Sequence, residues 1–208
     1  MLKKCIYVVG PQSTGKTTLV NALVQRLGFD VPVIMEVARQ VMQEKGYTRE
    51  DVDSDSRERR FSIQEDIFNS QLEAESKILD SETIASFLSD RSAIDPVVYL
   101  AHYSGAEEAR RITSKSDWQK ARERYADSKR SLIILLLPVM EFLVDDDIRY
   151  VAKTYQDWCA LAKTFQTLMK EEGIPVVEIG EECLEIQDRV AVVLKQIGVD
   201  QNKMKVSD

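Results

Sequence analysis

The segment from Gly10 to Thr17 has the residue types and spacing needed to bind a phosphate chain. It reads Gly-Pro-Gln-Ser-Thr-Gly-Lys-Thr and lies between an apolar run and a stretch with helical periodicity. Its glycines allow backbone N–H groups to turn inward, and the N-terminus of the following helix adds a positive dipole end. Lys16 can then reach the β- and γ-phosphates of a nucleoside triphosphate, and the Thr17 hydroxyl can ligate Mg²⁺. The predicted P-loop contacts to ATP are Gly10, Gln12, Ser13, Thr14, Gly15, Lys16, Thr17 and Thr18.

A second candidate group follows an apolar run that ends at Asp90. A carboxylate at the end of such a strand is the usual second magnesium contact in P-loop proteins, directly or through water. The alternative is that Asp90 caps the next helix. Arg91 would lie at the mouth of the site and pair with a phosphate or substrate group, or else form a surface ion pair. Asp95 precedes Pro96, which is typical of a helix start.

Glu36 follows a short apolar run and lies three residues before Arg39. On a helix this spacing lets both side chains face the same cleft. A carboxylate there can accept the proton of an attacking hydroxyl group. A solvated ion pair between Glu36 and Arg39 fits the spacing equally well.

Residues 141–149 hold three consecutive aspartates, and Arg149 is their only basic residue. In small P-loop kinases a lid closes over the phosphates at this point, and an arginine of the lid stabilises transition-state charge. The aspartates also suit a helix N-terminus.

These residues require a sheet whose strand ends meet. Strands are predicted at 4–9, 32–35, 83–90, 132–137 and 174–179, and helices at 16–27, 36–45, 57–80, 96–103, 105–129, 149–172 and 183–197. The polar residues 47–57 are interpreted as a mobile connection. The alternation predicts an α/β fold with a parallel sheet and right-handed crossovers, which binds ligands at the carboxyl ends of its strands.

Composition fits one domain, which we place at residues 1–198 with a polar tail at 199–208. The chain has 208 residues, 44% apolar and 30% charged, and a net charge of −7. An acidic balance argues against nonspecific nucleic-acid binding. The widely spaced Cys5, Cys159 and Cys183 predict reduced thiols. No apolar run is long enough to span a bilayer, so the expected location is the cytoplasm.

Residues 110–130 are locally basic. Arg110, Arg111, Lys115, Lys120, Arg122, Arg124, Lys129 and Arg130 outnumber three acidic residues. The segment is either a solvated helix face or a surface that recognises an anionic ligand.

The joint pattern resembles the nicotinamide-riboside-kinase-like P-loop family, which includes the kinase domains of bacterial NAD regulators. The resemblance rests on the P-loop, Glu36-Val37-Ala38-Arg39, Asp90-Arg91-Ser92 with Asp95, and Asp147-Ile148-Arg149. It implies a three-layer, ATP- and Mg²⁺-dependent kinase fold with strand order 2-3-1-4-5. It also favours Glu36 and Arg39 as substrate contacts and Arg149 as a residue of the lid. Arg91 and Asp95 complete the set of predicted substrate contacts. The family commonly has Glu where Gln12 stands and Gly in the lid where Asp147 stands.

The sequence therefore predicts a kinase that transfers the γ-phosphoryl group of ATP to a hydroxyl of a nucleoside-like small molecule, such as a ribosylnicotinamide. The predicted catalytic residues are Lys16, Glu36, Asp90 and Arg149, and the predicted metal ligands are Thr17 and Asp90. One alternative is a nucleotide-dependent switch that docks an anionic lipid or protein through residues 110–130. A weaker alternative is an end-specific polynucleotide kinase. The oligomeric state and the preference for ATP over GTP stay open.

Overall fold

Five strands alternate with helices along the chain. The structure is a computed structural model that describes residues 4–28, 30–52, 54–81, 86–142 and 154–199. The strands are β1 (Cys5–Val9), β2 (Val33–Ile34), β3 (Leu88–Asp90), β4 (Ser131–Leu136) and β5 (Val176–Ile179). The first helices are α1 (Lys16–Leu27), α2 (Val37–Lys45), α3 (Arg49–Val52), α4 (Arg57–Leu79) and α5 (Ile94–Ser104). The others are α6 (Ala106–Thr113), α7 (Ser116–Ala126), α8 (Tyr155–Glu171) and α9 (Ile186–Gln196), with a 3₁₀ turn at Met140–Phe142.

The strands form one parallel sheet in the order β2-β3-β1-β4-β5, which confirms the predicted fold and topology. Val8 on β1 is in register with Asp90 on β3 and with Ile134 on β4. The carboxyl ends of β1 and β3 therefore lie side by side. This register brings the start of the P-loop next to Asp90.

Apolar side chains of the strands pack alternately against two helical layers. Tyr7 and Val9 on β1 join the cluster that contains residues from α2 and from α4 to α8. Ile6 and Val8 join a smaller cluster with α1 and α9. Because both faces are covered, β1 is apolar throughout and β4 is apolar from Leu132 to Leu136. The result is the expected three-layer arrangement with helices on both faces of the sheet.

Several predicted boundaries differ from the structure. The connection at 47–57 contains the short helix α3, whose start is capped because Thr48 N donates to Asp51 Oδ2 at 2.8 Å and Asp51 N to Thr48 Oγ1 at 3.3 Å. The 105–129 segment is two helices, α6 and α7, with a turn at Ser114. Arg149, most of the lid and the tail from residue 200 lie outside the described residues. None of the described helices is long and apolar enough to cross a membrane.

Candidate active site

The P-loop is a tight arch between β1 and α1. Gly10 has φ 135°, and a Cβ atom there would lie 2.5 Å from the carbonyl oxygen of Leu136 on β4. Gly15 has φ 87° and directly precedes Lys16, the first residue of α1. Residues that carry a Cβ atom rarely adopt these positive φ values, so glycine is required at both positions. The arch leaves the backbone N–H groups at the start of α1 directed toward a shared space, which suits an anionic ligand.

Lys16 lies at the centre of this arch, with only 5% of its surface exposed. Its Nζ donates to the carbonyl oxygen of Pro11 and lies 3.5 Å from Thr14 Oγ1. Burial is the main cause that lowers the pKa of Lys16 to about 7, and the nearby Arg91 adds to it. The carboxylates of Asp95, Asp90 and Glu36 act in the opposite direction. A bound phosphate chain would supply further negative charge and so favour the ammonium form.

Thr17 and Asp90 meet where a magnesium ion is predicted. The Thr17 hydroxyl donates to Asp90 Oδ2 at 2.5 Å, although the two residues are 73 positions apart. Asp90 is 1% exposed, and its Oδ1 is buried with no hydrogen-bond partner among the described residues. Hydroxyl and carboxylate oxygens beside a phosphate site are the ligands Mg²⁺ prefers. The residues present therefore fit the ion. Among the described residues, no group of three or more His, Cys, Asp or Glu residues could hold a metal ion by itself.

Glu36 is held between two arginines just after β2. Its Oε1 accepts from Arg91 Nε at 3.0 Å and from Arg91 Nη2 at 2.8 Å, and its Oε2 accepts from Arg39 Nε at 2.8 Å. Arg39 is largely exposed, whereas the side chains of Glu36 and Arg91 are 13% and 12% exposed. The structure thus contains the Glu36–Arg39 ion pair that the sequence left open, and Arg91 completes a cluster at the strand ends.

Arg91 has an uncommon backbone conformation, with φ 87°. Its N–H donates to Val8 O at 3.0 Å, so the chain turns sharply where β3 ends beside β1. A positive φ at a bulky residue is strained and is found most often at functional sites. Burial opposes the charge of Arg91, but Glu36, Tyr99 and the two nearby aspartates outweigh it and raise the pKa of the guanidinium well above its ordinary value.

Asp95 lies in the first turn of α5, as its position before Pro96 predicts. Its Oδ2 accepts from the backbone N–H of Ser92 at 2.9 Å and from Ser92 Oγ at 3.3 Å. Its Oδ1 lies 3.5 Å from Arg91 Nη1 and has no hydrogen-bond partner among the described residues. Burial raises the pKa of the Asp95 carboxyl group, against the influence of Arg91 and Lys16. Asp95 therefore helps to form the helix start and also holds its second oxygen beside the Arg91 guanidinium.

Two cavities open on this cluster. The smaller, the loop pocket, has a volume of about 130 Å³ and is lined by Ser13, Gly15, Lys16, Thr17, Thr18 and Asp90, together with Glu36 and Arg91. The larger, the side pocket, has a volume of about 450 Å³ between α2, α4 and α5. Glu36 and Arg91 also line the side pocket, so one carboxylate and one guanidinium stand at the boundary of both cavities.

Two aromatic residues hold Gln12 at this boundary. Tyr99 on α5 donates its hydroxyl to Gln12 Oε1 at 2.8 Å, and Trp158 Nε1 on α8 donates to the Gln12 carbonyl oxygen at 2.8 Å. The Nε2 of Gln12 is buried without a partner among the described residues, and Gln12 lines the side pocket. The sequence predicted Gln12 as a P-loop residue but did not single out Tyr99. The sequence signal for Tyr99 was its position as a polar aromatic residue one helical turn after Asp95 and Pro96.

The sequence also did not single out Arg189, which contacts the P-loop from α9. Arg189 on α9 is 2% exposed; its Nη1 donates to Thr14 O at 2.8 Å and its Nε donates to Cys183 O at 2.8 Å. Its guanidinium lies 4.7 Å from the centre of the Phe142 ring, at the start of the predicted lid. An arginine on the buried face of an otherwise amphipathic last helix was the available signal.

The basic residues at 110–130 contact carboxylates within the protein. Seven of the eight form ion pairs: Arg110–Glu107, Arg111–Glu58 and –Glu108, Lys115–Glu65, Lys120–Asp117, Arg122–Glu172, Arg124–Glu75 and Arg130–Asp127. The segment therefore does not present a concentrated unpaired positive charge. This arrangement favours an ion-paired helix face over an anion-docking surface.

Comparisons with known proteins identify the family and the fold of the chain. A family model described as an AAA domain matches residues 5–186. The fold is similar to that of NadR protein in complex with NR (TM-score 0.72, 20% identity) and of NadR protein in complex with NAD and AMP-PNP (TM-score 0.68, 20% identity). These matches cover 99% and 100% of this chain but only 54% and 52% of the NadR chains, so this chain spans about half their length.

A deoxyadenosine kinase from M. mycoides with bound dATP also has a similar fold, with a TM-score of 0.59 and 13% identity over 94% of this chain and 99% of that one. No curated protein matches the sequence. At these identities the structural likeness shows a shared P-loop kinase fold. Because the family model spans most of the sequence, from β1 to the start of α9, the chain belongs to the AAA domain family.

Proposed function

We propose that this protein is an ATP-dependent kinase that phosphorylates a hydroxyl group of a nucleoside-like small molecule. The observation that carries the proposal is that Glu36 and Arg91 line both the loop pocket and the side pocket. A γ-phosphate in the loop pocket and a hydroxyl in the side pocket would thus meet beside one carboxylate and one guanidinium. Phosphoryl transfer requires mainly this positioning together with charge stabilisation.

The geometry of the described residues supports the following roles. The P-loop amides and Lys16 hold the triphosphate, and Thr17 with Asp90 would hold Mg²⁺, which neutralises charge on the phosphate oxygens. The acceptor oxygen attacks the γ-phosphorus and forms a new P–O bond. The bond from that phosphorus to the β–γ bridging oxygen breaks, ADP leaves, and the hydroxyl proton passes to Glu36. Arg91 stabilises charge on the transferred group, a role that Arg149 of the lid shares in our proposal.

The side pocket fits an acceptor with an apolar ring and a polar rim. Its volume of about 450 Å³ lies within the usual range for small-molecule sites. Ala38, Met42, Ile63 and Ile67 supply apolar walls, while Arg39 and Asp95 lie near its charged edge. A ribonucleoside has a flat aromatic base, whose faces can stack on apolar side chains, and ribose hydroxyl groups, which match these two regions. The likeness of fold to NadR protein in complex with NR supports a ribosylnicotinamide-type acceptor.

The proposal is tested by ADP release from Mg·ATP with a panel of nucleosides that includes ribosylnicotinamide. Glu36→Gln keeps the side-chain shape but cannot accept a proton, so we expect kcat to fall by roughly 10²- to 10⁴-fold while the Kd for Mg·ATP stays nearly unchanged. Glu44→Gln is the matched control, because Glu44 is an exposed glutamate on α2, the helix that begins directly after Glu36. Absence of ADP release with every acceptor would refute kinase activity. Full turnover by Glu36→Gln would refute the role of Glu36 alone.

A further inference from the structure

A chain of hydrogen bonds leads from the backbone of the Asp90–Asp95 loop to Gln71, which lines the side pocket. The N–H of Ala93 donates to the hydroxyl oxygen of Tyr125 at 3.2 Å. Since a backbone N–H can only donate, the hydroxyl proton of Tyr125 is left for its other partner, the carboxylate of Glu75, at 2.9 Å. Glu75 is fully buried, and Arg124 also donates to it. With these donors around it, Glu75 acts as a hydrogen-bond acceptor.

Glu75 in turn fixes the orientation of Gln71, one turn earlier on α4. Gln71 Nε2 donates to Glu75 Oε1 at 3.0 Å and lies 3.2 Å from Ser89 Oγ on β3. A reversed amide would place the Gln71 oxygen against the carboxylate of Glu75, where two acceptors repel. The amide oxygen must therefore point away from Glu75. Within the described part of the chain, Gln71 Oε1 accepts no hydrogen bond, and Gln71 lines the side pocket.

Gln71 is also placed where the ring of an acceptor molecule would lie. Ile63, Ile67 and Gln71 follow one another at one-turn intervals on α4, and all three line the side pocket. The two isoleucines supply an apolar surface for a flat ring, and Gln71 adds one polar atom at its end. A ring that occupies this surface would present its edge to the amide oxygen of Gln71.

We infer that Gln71 is a specificity-determining residue that selects acceptors whose base carries an N–H donor, as an exocyclic amino or carboxamide group, over acceptors that present only a carbon or oxygen atom there. This inference rests on the proposed function, because it names the substrate class of the same pocket. A ligand without the donor would cover the Gln71 amide oxygen and leave it unpaired, and a carboxylate on the ligand would be repelled by that oxygen. Selectivity of this origin amounts to about 10- to 100-fold.

Two ligand pairs test the inference, each differing by a single group: ribosylnicotinamide against its 3-acetylpyridine analogue, and adenosine against purine riboside. Calorimetry with the full chain gives Kd for all four ligands, whether or not phosphate is transferred. We expect the N–H-bearing member of at least one pair to bind about 10- to 100-fold more tightly. Gln71→Met should reduce that ratio to about twofold. Equal binding within both pairs, no binding of either pair, or a ratio unchanged in Gln71→Met would overturn the inference.

Gln64→Met is the matched control. Gln64 lies two turns before Gln71 on α4 and lines the same pocket, but no hydrogen bond to the described residues orients it. The Gln64→Met variant should keep the wild-type ratio of Kd values within each ligand pair, whatever its effect on absolute affinity. Glu75→Gln is the second variant, since its amide can donate to Gln71 and release the fixed orientation; its ratio should also fall. ADP release with the same ligands is a separate readout, so failure of the kinase proposal is distinguishable from failure of this inference.

Discussion

At the scale of a single residue, the burial of Lys16 opposes the positive charge that its proposed role requires. The proposed reaction needs its positive charge beside the phosphates, yet burial lowers its pKa to about 7. Its Nζ is satisfied by the Pro11 carbonyl oxygen in the structure. A triphosphate would replace this neutral partner with several negative charges and raise the pKa of Lys16 again. Binding of the nucleotide and protonation of Lys16 should therefore be linked.

This linkage predicts proton uptake when Mg·ATP binds. At pH 8 the free protein has Lys16 mostly neutral, because its pKa is about 7. The bound state has it protonated, so up to about one proton is taken up, and the uptake shrinks at pH 6, where Lys16 is already charged. Calorimetry in buffers with different ionisation enthalpies measures the number of protons. Lys16→Met should abolish the uptake, and Lys45→Met, at an exposed site on α2, should retain it. Uptake that survives in Lys16→Met would contradict the assignment.

The residues of the candidate site differ in how far the sequence could predict them. Asp90 was predictable, because a carboxylate at the end of an apolar strand faces the P-loop in a parallel sheet. Tyr99 and Gln71 were not, since both lie on helices, and the rotation of a helix about its axis is set by packing that the sequence does not state. The contact of Thr17 with Asp90 is an example of a contact that strand ends make predictable. The contact of Gln71 with Ser89 is an example of one that depends on the rotation of a helix.

At the scale of elements, α9 contributes to the P-loop without lining either pocket. Arg189 links three pieces of chain: the Thr14 carbonyl of the P-loop, the Cys183 carbonyl after β5, and the Phe142 ring after β4. Its guanidinium spans these contacts because it is flat and has several donors. The alternating apolar segments predicted most of the helices and a parallel sheet, and the family resemblance implied the strand order. The contact of the last helix with the first loop was not predictable, because it spans 175 residues.

Arg189→Lys should therefore weaken nucleotide binding. An ammonium group cannot donate to both carbonyl oxygens and lie flat on Phe142 at once, so the P-loop loses one of its fixed points. We expect the Kd for Mg·ATP to rise by about 10-fold while the KM for the acceptor changes little, because Arg189 does not touch the side pocket. Fluorescence titration with a labelled nucleotide measures the Kd, and steady-state kinetics measure the KM for the acceptor. Lys195→Met, an exposed change on the same helix, is the control. An unchanged Kd in Arg189→Lys would show that the P-loop is rigid without it.

At the scale of the whole molecule, the buried carboxylate of Glu75 links two helices on one face of the sheet to the central strand. Glu75 on α4 accepts from Arg124 and Tyr125 on α7 and lies 3.4 Å from the hydroxyl of Tyr7 on β1. The sequence predicted the helices of this layer but not the pair, because the basic run at 110–130 appeared as one surface feature. In the structure its members differ: the side chain of Arg110 is 67% exposed, whereas that of Arg124 is 22% exposed and its partner Glu75 is fully buried.

These two arginines should differ sharply in their effect on stability. Arg124→Met leaves the carboxylate of Glu75 buried without its cation, which costs about 3–5 kcal/mol in the free energy of unfolding. Arg110→Met breaks only an exposed pair with Glu107, so the unfolding midpoint should hardly move. Urea unfolding followed by circular dichroism measures both. The double variant Arg124→Met/Glu75→Gln should recover part of the loss, since it removes the unpaired charge as well as its partner. Equal midpoints for Arg124→Met and Arg110→Met would mean that Glu75 is accommodated without Arg124, through its tyrosine and glutamine donors alone.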